Sequence, residues 1–426
     1  METKGFERHL EDVTQTFLDR CTRCGKCFET CPIAGLTSAR ANKSEEITAA
    51  LCNFLGGGAL LPEVASWAES CTGSAQCNEA CPEGLNFRVA IGIANTWIKA
   101  QKASVDPTKV PNFFKRMSQA IRLLAGLQVP PETLAGIAAG RARAQETADI
   151  VFYLGCNVLR NPNIFLAAMD VFDALELDYA VLGGVANCCG VIHFKMQGEI
   201  SGSDAIGTNS LKTLGAFNPG TVVNWCPTCQ LHFTETRDGY TQYPFEVAHI
   251  SNFLCRRLDL LTPRFTVPIN KRVALHEHSG VPGVVESVRA ILSAIPGLTL
   301  VEVPQAADMA YSCGPGALSL LPETQQKVYR EHLEGCRDQG IDILVTLYHT
   351  CHRLMCGMER DYPLEITNWI TLVAEAMGLE SHPDLFKRYK MYGNVERVVE
   401  EAKGLVVQNR LDPNEVRNFL YAMMDT

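Results

Sequence analysis

Three groups of cysteines in this chain have spacings that suit metal binding. The largest group is spread over three places: a single cysteine, an adjacent pair followed by glycine, and a Cys-Pro-Thr-Cys run. Its members are Cys156, Cys188, Cys189, Cys226 and Cys229. One zinc ion needs only four ligands, and the side chains of adjacent cysteines tend to diverge. An iron–sulfur cluster bound by thiolates from several loops accounts for all five, whereas buried structural thiols would not explain the grouping.

The second group lies near the N-terminus and follows the bacterial ferredoxin pattern, Cys-x2-Cys-x2-Cys-x3-Cys-Pro. It consists of Cys21, Cys24, Cys27 and Cys31, followed by Pro32. In such a run the close triplet binds one cubane cluster, and the cysteine before proline reaches a second cluster. A zinc ribbon is the alternative, but ribbons usually use two Cys-x2-Cys pairs.

The third group repeats this run, except that serine replaces the middle cysteine. It consists of Cys71, Ser74, Cys77 and Cys81, followed by Pro82. Crossed ligation between the two runs predicts a first ferredoxin-like site with a [4Fe-4S] cubane, bound by Cys21, Cys24, Cys27 and Cys81. The second ferredoxin-like site would use Cys31, Cys71 and Cys77. Three thiolates suit a [3Fe-4S] cluster, and a [4Fe-4S] cluster with Ser74 or water on the fourth iron is the alternative. Cys52, between the runs, is interpreted as a buried thiol rather than a ligand.

The composition is that of an ordinary globular protein, with 46% hydrophobic and 20% charged residues. The net charge of −9 argues against a nucleic-acid-binding protein. No apolar run reaches the roughly 18 residues of a membrane span, and the N-terminus lacks a signal-peptide pattern. Because many cysteines without an export signal indicate metal or redox use, we predict a cytoplasmic protein that contacts a membrane only through a partner.

Short apolar strands precede the cysteines of the largest group. Cys156 follows the run Ile150–Leu154, and Cys226 follows Thr221–Trp225. Ligands of open α/β sheets usually lie at the C-terminal ends of strands, so these strands would present the cysteines together. Gly190, after the cysteine pair, is predicted to let the backbone approach the cluster closely.

Residues 271–380 repeat the strand and helix plan of residues 148–270, but most matching cysteines are missing. Three of the five matching positions hold Ser279, Ser312 and Tyr348. The two that remain are Cys313 and Cys351. Two thiolates are too few for such a cluster, so we predict that this half carries none. A weak ion site made of Cys313, Cys351, His276 and His349 is the alternative.

The predicted fold class is α+β with several domains. A helical, two-cluster ferredoxin-like domain precedes two duplicated α/β half-domains, in which alternating strands and helices indicate parallel sheets. The predicted boundaries are 1–105 for the ferredoxin-like domain, 106–147 for a helical linker, 148–270 for the first half, 271–380 for the second half and 381–426 for a helical tail.

The five-cysteine pattern resembles the CCG domain of the B subunit of heterodisulfide reductases. That domain also occurs in the iron–sulfur subunits of glycolate, lactate and anaerobic glycerol-3-phosphate oxidases. With the two ferredoxin-like runs, residues 15–380 are similar to a fused C–B unit of heterodisulfide reductase. The resemblance implies that the five cysteines bind a noncubane [4Fe-4S] cluster that acts on a disulfide. The three-thiolate site resembles that of succinate dehydrogenases and fumarate reductases.

Two functions follow from these features. No Gly-x-Gly-x-x-Gly motif follows a strand, so we expect no FAD or NAD site and expect electron exchange with a partner flavoprotein or other redox protein. In the first hypothesis the noncubane cluster cleaves or forms a disulfide of a thiol carrier or substrate, with His193 or His232 as proton donor. In the alternative, the chain relays electrons from a partner flavin dehydrogenase, which oxidises a 2-hydroxy acid, an amine or a similar substrate, towards quinone or another acceptor.

Overall fold

The N-terminal part of the chain is a group of helices whose loops carry the two ferredoxin-like runs. The computed structural model describes residues 5–105, 109–139, 141–142, 147–277, 280–305 and 318–424. The N-terminal helices are α1 Phe6–Arg20, α2 Lys26–Glu29, α3 Ser44–Leu55, α4 Pro62–Glu69, α5 Gln76–Glu79 and α6 Phe87–Val105. Their apolar faces form one core, in which Leu10, Leu51 and Trp67 are almost fully buried. The short helices α2 and α5 contact each other, which brings the two cysteine runs together.

A five-stranded sheet forms the first half. Its strands are β1 Arg141–Ala142, β2 Ile150–Gly155, β3 Tyr179–Gly183, β4 Thr221–Asn224 and β5 Glu246–His249. The order is β1-β3-β2-β4-β5; all strands are parallel except β1, which is antiparallel to β3. The helices of this half are α9 Pro162–Ala174, α10 Val191–Gln197, α11 Ile200–Gly215, α12 Pro227–Leu231, α13 Ile250–Cys255 and α14 Leu258–Leu261. The central strand β2 is buried along its whole length, as expected for a strand covered on both faces.

A four-stranded parallel sheet forms the second half. Its strands are β6 Arg272–His276, β7 Thr299–Leu300, β8 Ile343–Thr346 and β9 Glu365–Asn368, in the order β7-β6-β8-β9. Its helices are α15 Val284–Ser293, α16 Pro322–Asp338, α17 His349–Met355 and α18 Trp369–Ala376. This order repeats that of the parallel strands in the first half. The two halves share one hydrophobic core, since α13 packs against α15 and α9 against α18.

The linker and the tail pack against each other. The linker helices are α7 Lys109–Gly126 and α8 Pro131–Ala139, and the tail helices are α19 Leu385–Tyr392, α20 Val395–Glu401, α21 Lys403–Gln408 and α22 Pro413–Met424. Leu123 and Leu127 share a buried cluster with Tyr389 and Leu420. The Tyr389 hydroxyl donates a hydrogen bond to the carbonyl of Leu127 at 2.8 Å. The tail therefore covers the linker helix.

The predicted fold class is confirmed, because a helical N-terminal region precedes two parallel-sheet α/β units. Strands β1, β5, β7 and β9 were not predicted, although all four belong to the ladders. The domain boundaries stay a prediction. Within the part of the chain that the structure describes, no helix combines the length and apolar character needed to cross a membrane.

Candidate iron–sulfur cluster sites

The four cysteines predicted for the first ferredoxin-like site line one cavity. They are Cys21, Cys24, Cys27 and Cys81. Phe17, Leu85 and Phe87 form part of the apolar wall. The structure thus brings the cysteine of the third group to the triplet of the second, as crossed ligation requires.

A second cavity is lined by the three cysteines predicted for the second ferredoxin-like site, and Cys27 of the first site lies in its wall as well. The three predicted ligands are Cys31, Cys71 and Cys77. Ser74 lies in the same wall, with Trp67 and Arg88. Ser74 therefore borders the cavity that the three thiols share, which is compatible with both candidate cluster types.

The two cysteine loops have the same backbone turns. Arg23 and Gly25, the second and fourth residues after Cys21, have φ angles of 57° and 78°. Gly73 and Ala75, at the same positions after Cys71, have φ angles of 76° and 68°. The left-handed conformation costs about 1–2 kcal/mol at a residue with a side chain. The loop around Ser74 thus keeps the strained turn of a cluster-binding loop although it lacks the middle cysteine.

N–H groups are directed at several of the predicted ligands, and Cys31 and Cys81 are two of them. Trp67 donates Nε1 to Cys31 Sγ at 3.4 Å, and the backbone N–H of Leu85 donates to Cys81 Sγ at 3.4 Å. N–H groups directed at ligand sulfurs stabilise the reduced cluster and raise its reduction potential. The sequence contains no signal for Trp67 in this role, because its contact with Cys31 depends on the packing of α4.

Burial favours protonated thiols in these cavities as long as no cation is bound. It raises the pKa of Cys27 to about 12 and also raises the pKa values of Cys31, Cys71 and Cys77. Such thiols are neutral near pH 7, so iron must displace their protons when it binds. Several buried thiols around one cavity are the donor set that iron–sulfur clusters use.

Cys52 lies beside the first ferredoxin-like site without lining its cavity. It is 3% exposed, and its Sγ is 3.8 Å from Cys21 Sγ. Burial, with Cys21 nearby, raises its pKa to about 12. The contact makes Cys52 a neighbour of a predicted ligand, which its position in the sequence does not reveal.

The five cysteines of the largest group form one contiguous set, which we call the five-cysteine site. Thiol hydrogen bonds join Cys156 to Cys188, Cys188 to Cys189, Cys189 to Cys229, and Cys229 to Cys226. The Cys156 and Cys188 sulfurs are 3.9 Å apart. Four of the five are at most 5% exposed, and Cys226 is half-buried. Each follows a C-terminal end of β2, β3 or β4, as the sheet topology predicts.

Two glycines border this site, and an added β-carbon would point toward the thiols at only one of them. A β-carbon at Gly155, with φ of 66°, would lie 3.0 Å from Cys229 Sγ. A β-carbon at Gly190, with φ of 92°, would instead lie 2.4 Å from the carbonyl oxygen of Ser203 on α11. The backbone N–H of Gly190 donates a hydrogen bond to the Cys188 thiol, so the backbone does come close to a predicted ligand there. Glycine is required there by the close packing of α11, and Gly155 provides another close approach to the ligands.

The two histidines considered as proton donors lie in different surroundings. His193 is partly exposed, stacks on Phe114 at 3.6 Å between ring centroids, and places Nδ1 3.3 Å from Glu199 Oε2. Burial lowers its pKa, whereas Cys188 and Glu199 raise it. His232 is buried against Phe6 and Phe194, and neither ring nitrogen has a partner among the residues described. Burial lowers its pKa well below the ordinary value, so His232 is neutral and closed to solvent.

Two histidines of the second half make hydrogen-bond contacts with other aromatic side chains. His276 Nδ1 lies 3.1 Å from His332 Nδ1, and His349 Nδ1 accepts a hydrogen bond from Trp225 Nε1 at 3.1 Å. Cys351 is fully buried. The positions of Ser279, Ser312 and Cys313 lie outside the described residues. In the ranges that are described, no three His, Cys, Asp or Glu side chains are arranged to hold a single metal ion.

Comparison with known families supports iron–sulfur binding in both parts of the chain. Residues 17–85 match the 4Fe-4S dicluster domain. Residues 150–234 and 278–355 match the cysteine-rich domain CCG. The second CCG match covers the half whose cysteines are largely replaced, which agrees with the repeated sheet order.

Several curated proteins are similar over most of the chain. The D subunit of dihydromethanophenazine:CoB–CoM heterodisulfide reductase from Methanosarcina mazei is 25% identical over 420 residues, covering 88% of this chain and 97% of the relative. Its counterpart from Methanosarcina barkeri is 25% identical over 419 residues, with the same coverage. The B subunit of fumarate reductase (CoM/CoB) from Methanothermobacter marburgensis is 24% identical over 368 residues, covering 82% of this chain and 70% of the relative. With the domain matches, these relatives show that the chain is a CCG-domain iron–sulfur protein.

Proposed function

We propose that the chain is the iron–sulfur subunit of a heterodisulfide-reductase-like complex and that it cleaves or forms a disulfide at the five-cysteine site. The observation that carries this proposal is the contiguous set of five thiols at the strand ends of the first sheet. Electron relay alone needs only cubane sites, which the ferredoxin-like part would supply. Similarity to the D subunit of a heterodisulfide reductase over 88% of the chain supports the same function.

We assign one cluster to each of the two cavities and one to the five-cysteine site. Cys21, Cys24, Cys27 and Cys81 would hold a [4Fe-4S] cubane. Cys31, Cys71 and Cys77 would hold a [3Fe-4S] cluster, or a [4Fe-4S] cluster completed by Ser74 or water. Cys156, Cys188, Cys189, Cys226 and Cys229 would hold the noncubane [4Fe-4S] cluster. When bound, these clusters supply single-electron steps.

The reaction balances as one disulfide plus two electrons and two protons giving two thiols. The sulfur–sulfur bond breaks and both sulfurs are reduced, and the reverse reaction returns the electrons. A partner flavoprotein or other redox protein would exchange these electrons with the ferredoxin-like part. His193 would transfer a proton, since it is partly exposed and lies within electrostatic reach of Cys188. His232 is the weaker candidate because it is fully enclosed. We place this reaction in the cytoplasm, with membrane contact only through a partner.

The test is anaerobic, redox-poised EPR of the iron-loaded protein, with iron and sulfide counts, with and without an added thiol or disulfide. A new signal that appears only with thiol would support catalysis at the five-cysteine site. Clusters that are all reducible but unresponsive to every sulfur compound would overturn catalysis. Substituting Cys229 by serine is the matched control, because it should remove the thiol response and leave the ferredoxin-like clusters unchanged.

Electron relay for a partner flavin dehydrogenase is the second candidate function. The observation that favours it is the altered second half, in which buried Tyr348 stands where the first half has a cysteine and His349 Nδ1 accepts a hydrogen bond from Trp225. In this case the five-cysteine cluster would be oxidised and reduced along with the other clusters, and its EPR signal would not change when a thiol is added. The EPR experiment separates the two functions.

A further inference from the structure

Asn224 is the last residue of strand β4 and lies two positions before the proposed ligand Cys226. Its side chain is fully buried. Neither its Nδ2 nor its Oδ1 atom has a hydrogen-bond partner among the described residues. A buried amide without any partner is rare in native proteins, because a polar group that leaves water without a new partner is destabilising. The amide of Asn224 therefore indicates a partner that does not belong to the chain.

The alternation of side chains along β4 directs Asn224 towards the five-cysteine site. Val222, two positions earlier, packs in one buried cluster with Cys189 and Cys229. Cys226 packs against the same cluster. Residues two apart in a strand share a face of the sheet, so Asn224 lies on the face that carries these thiols.

The neighbouring strand β2 gives the same direction. Tyr153 pairs with Asn224 in the parallel ladder, and its side chain belongs to the same buried cluster. Gly155 follows two positions later, and a β-carbon there would lie 3.0 Å from Cys229 Sγ. The backbone N–H of Trp225 donates to the Tyr153 carbonyl at 3.0 Å, which holds the ends of the two strands together. Asn224 thus lies beside the strand end that the Cys229 sulfur approaches.

The polar side chains that flank Asn224 in the sheet are bonded elsewhere. The Tyr153 hydroxyl donates to the Asn187 carbonyl at 2.6 Å. His249 pairs with Asn224 on the other side of β4, and both of its ring nitrogens have hydrogen-bond partners of their own. Neither neighbour therefore satisfies the amide.

The second half treats the matching residue differently. Thr346 ends β8 two positions before Tyr348, which stands where the first half has Cys226. The Thr346 hydroxyl donates to the Thr367 carbonyl at 3.1 Å. The half that lacks most of the cysteines thus satisfies this polar group within the chain, whereas the half with all five cysteines leaves it without a partner.

We propose that Asn224 donates a hydrogen bond from Nδ2 to a sulfur atom of the cluster at the five-cysteine site and thereby raises the reduction potential of that cluster. This inference rests on the ligand set of the proposed function. Hydrogen bonds to the sulfurs of a cluster help to set its potential, and they favour the reduced form because it carries more negative charge. A donor in a buried site acts strongly because little water screens it.

The experiment measures the midpoint potential of the five-cysteine cluster in the iron-loaded protein, by redox titration followed by EPR. The signal of this cluster is the one that Cys229→Ser removes. Asn224→Leu keeps the approximate size of the side chain and removes the donor. We expect the equilibrium constant for one-electron reduction to fall about 10-fold, which lowers the midpoint potential by about 59 mV. The two ferredoxin-like clusters should keep their potentials.

Two further variants separate the hydrogen bond from a general disturbance of the strand. Asn224→Thr introduces the residue type of Thr346, whose hydroxyl bonds to a carbonyl of the adjacent strand, so it should also lower the potential. Asn209→Leu makes the same change as Asn224→Leu at an exposed position of α11, which covers the same face of the sheet, and should have no effect. Iron counts establish that each variant is loaded.

The outcomes separate this inference from the proposed function. An unchanged potential in both Asn224 variants would overturn the hydrogen bond and assign the amide to a buried water. Loss of the cluster from both variants would assign the residue to cluster binding and overturn its effect on the potential. A loaded protein without a signal that depends on Cys229 would overturn the ligand set, and this inference with it. A signal that shifts with the Asn224 substitutions but not with thiol would overturn catalysis alone.

Discussion

Arg88 and Glu235 form an ion pair between the second ferredoxin-like site and the first half. Arg88 lines the cavity of that site and donates Nε to Glu235 Oε2 at 3.1 Å. It also donates to the carbonyl of Gly73 in the cysteine loop, at 3.2 Å, and to that of Gly280 in the second half. Glu235 belongs to the π-helical turn His232–Thr236, which follows α12 and Cys229. One guanidinium thus contacts a cysteine loop and both halves.

This ion pair predicts opposite effects of two substitutions on the second ferredoxin-like cluster. Arg88→Met removes a positive charge from the cavity wall and should lower the midpoint potential, because the added electron is stabilised less. Glu235→Gln removes the neighbouring negative charge and should raise it. Each shift should be on the order of 50 mV, which corresponds to about 1 kcal/mol for one electron. Redox titration followed by EPR measures both, and shifts of the same sign would contradict an electrostatic role.

Ser74→Cys should change the cluster type of the second ferredoxin-like site. A fourth thiolate in the cavity would complete the ligand set, so the iron content should rise by about one per chain. The EPR signal of an oxidised three-iron cluster should disappear. Ser74→Ala is the control and should leave that signal in place. If the unsubstituted protein shows no three-iron signal when fully loaded, the site holds four irons and the prediction fails.

Cys52 and Cys21 should differ in their effect on iron content although their sulfurs are 3.8 Å apart. Cys21→Ala removes a proposed ligand and should reduce the iron content by about four per chain. Cys52→Ala removes a buried thiol outside the cavity and should leave the iron content unchanged. Iron analysis of both variants, prepared side by side without oxygen, decides the matter. A comparable loss in the two variants would make Cys52 part of the site.

His249 should make part of the folding stability dependent on pH. Its ring is fully buried, with Nε2 3.1 Å from the Trp225 carbonyl and Nδ1 near Ser251, and burial lowers its pKa to about 4. An unfolded histidine takes up its proton near pH 6.5. Between pH 6.5 and 4 the unfolded state therefore binds more protons, and stability falls as the pH decreases. From pH 7.5 to 5.5 the loss from this residue should be about 1.4 kcal/mol.

The measurement compares thermal unfolding of the loaded protein and of His249→Gln at these two pH values, with iron content checked at each. The substituted protein should lose less stability on acidification, by about that amount. Equal losses in the two proteins would show that another group titrates in this range.

The parts of the fold that depend on local patterns could be predicted from the sequence. An apolar run that ends in cysteine predicted β2 and β4, because a buried parallel strand consists almost entirely of apolar residues. Strands β5 and β9 were missed, since each has only four residues and begins with an exposed glutamate. Their pairing in the ladder, rather than their composition, makes them strands.

The contacts that surround the sites depend on packing between distant segments and could not be predicted. Gly190 is required by α11, and Arg88 meets Glu235 across 147 positions of sequence. Arg353 is an ordinary surface residue type until the fold buries it. The cysteines could be grouped into candidate sites because metal ligands recur at fixed spacings, whereas a positioning residue needs only to be close in space.

The two cysteine loops have the same left-handed turns, so the shape of the loop does not depend on whether the middle cysteine is present. Arg23 and Gly25 in one loop and Gly73 and Ala75 in the other fix the same backbone path, whether a cysteine or Ser74 stands between them. If the second ferredoxin-like site holds a cluster as proposed, the loop could therefore accommodate three or four irons without refolding. Preparations that differ in exposure to oxygen or in iron supply would then differ in magnetic properties while keeping the same hydrodynamic size and helix content.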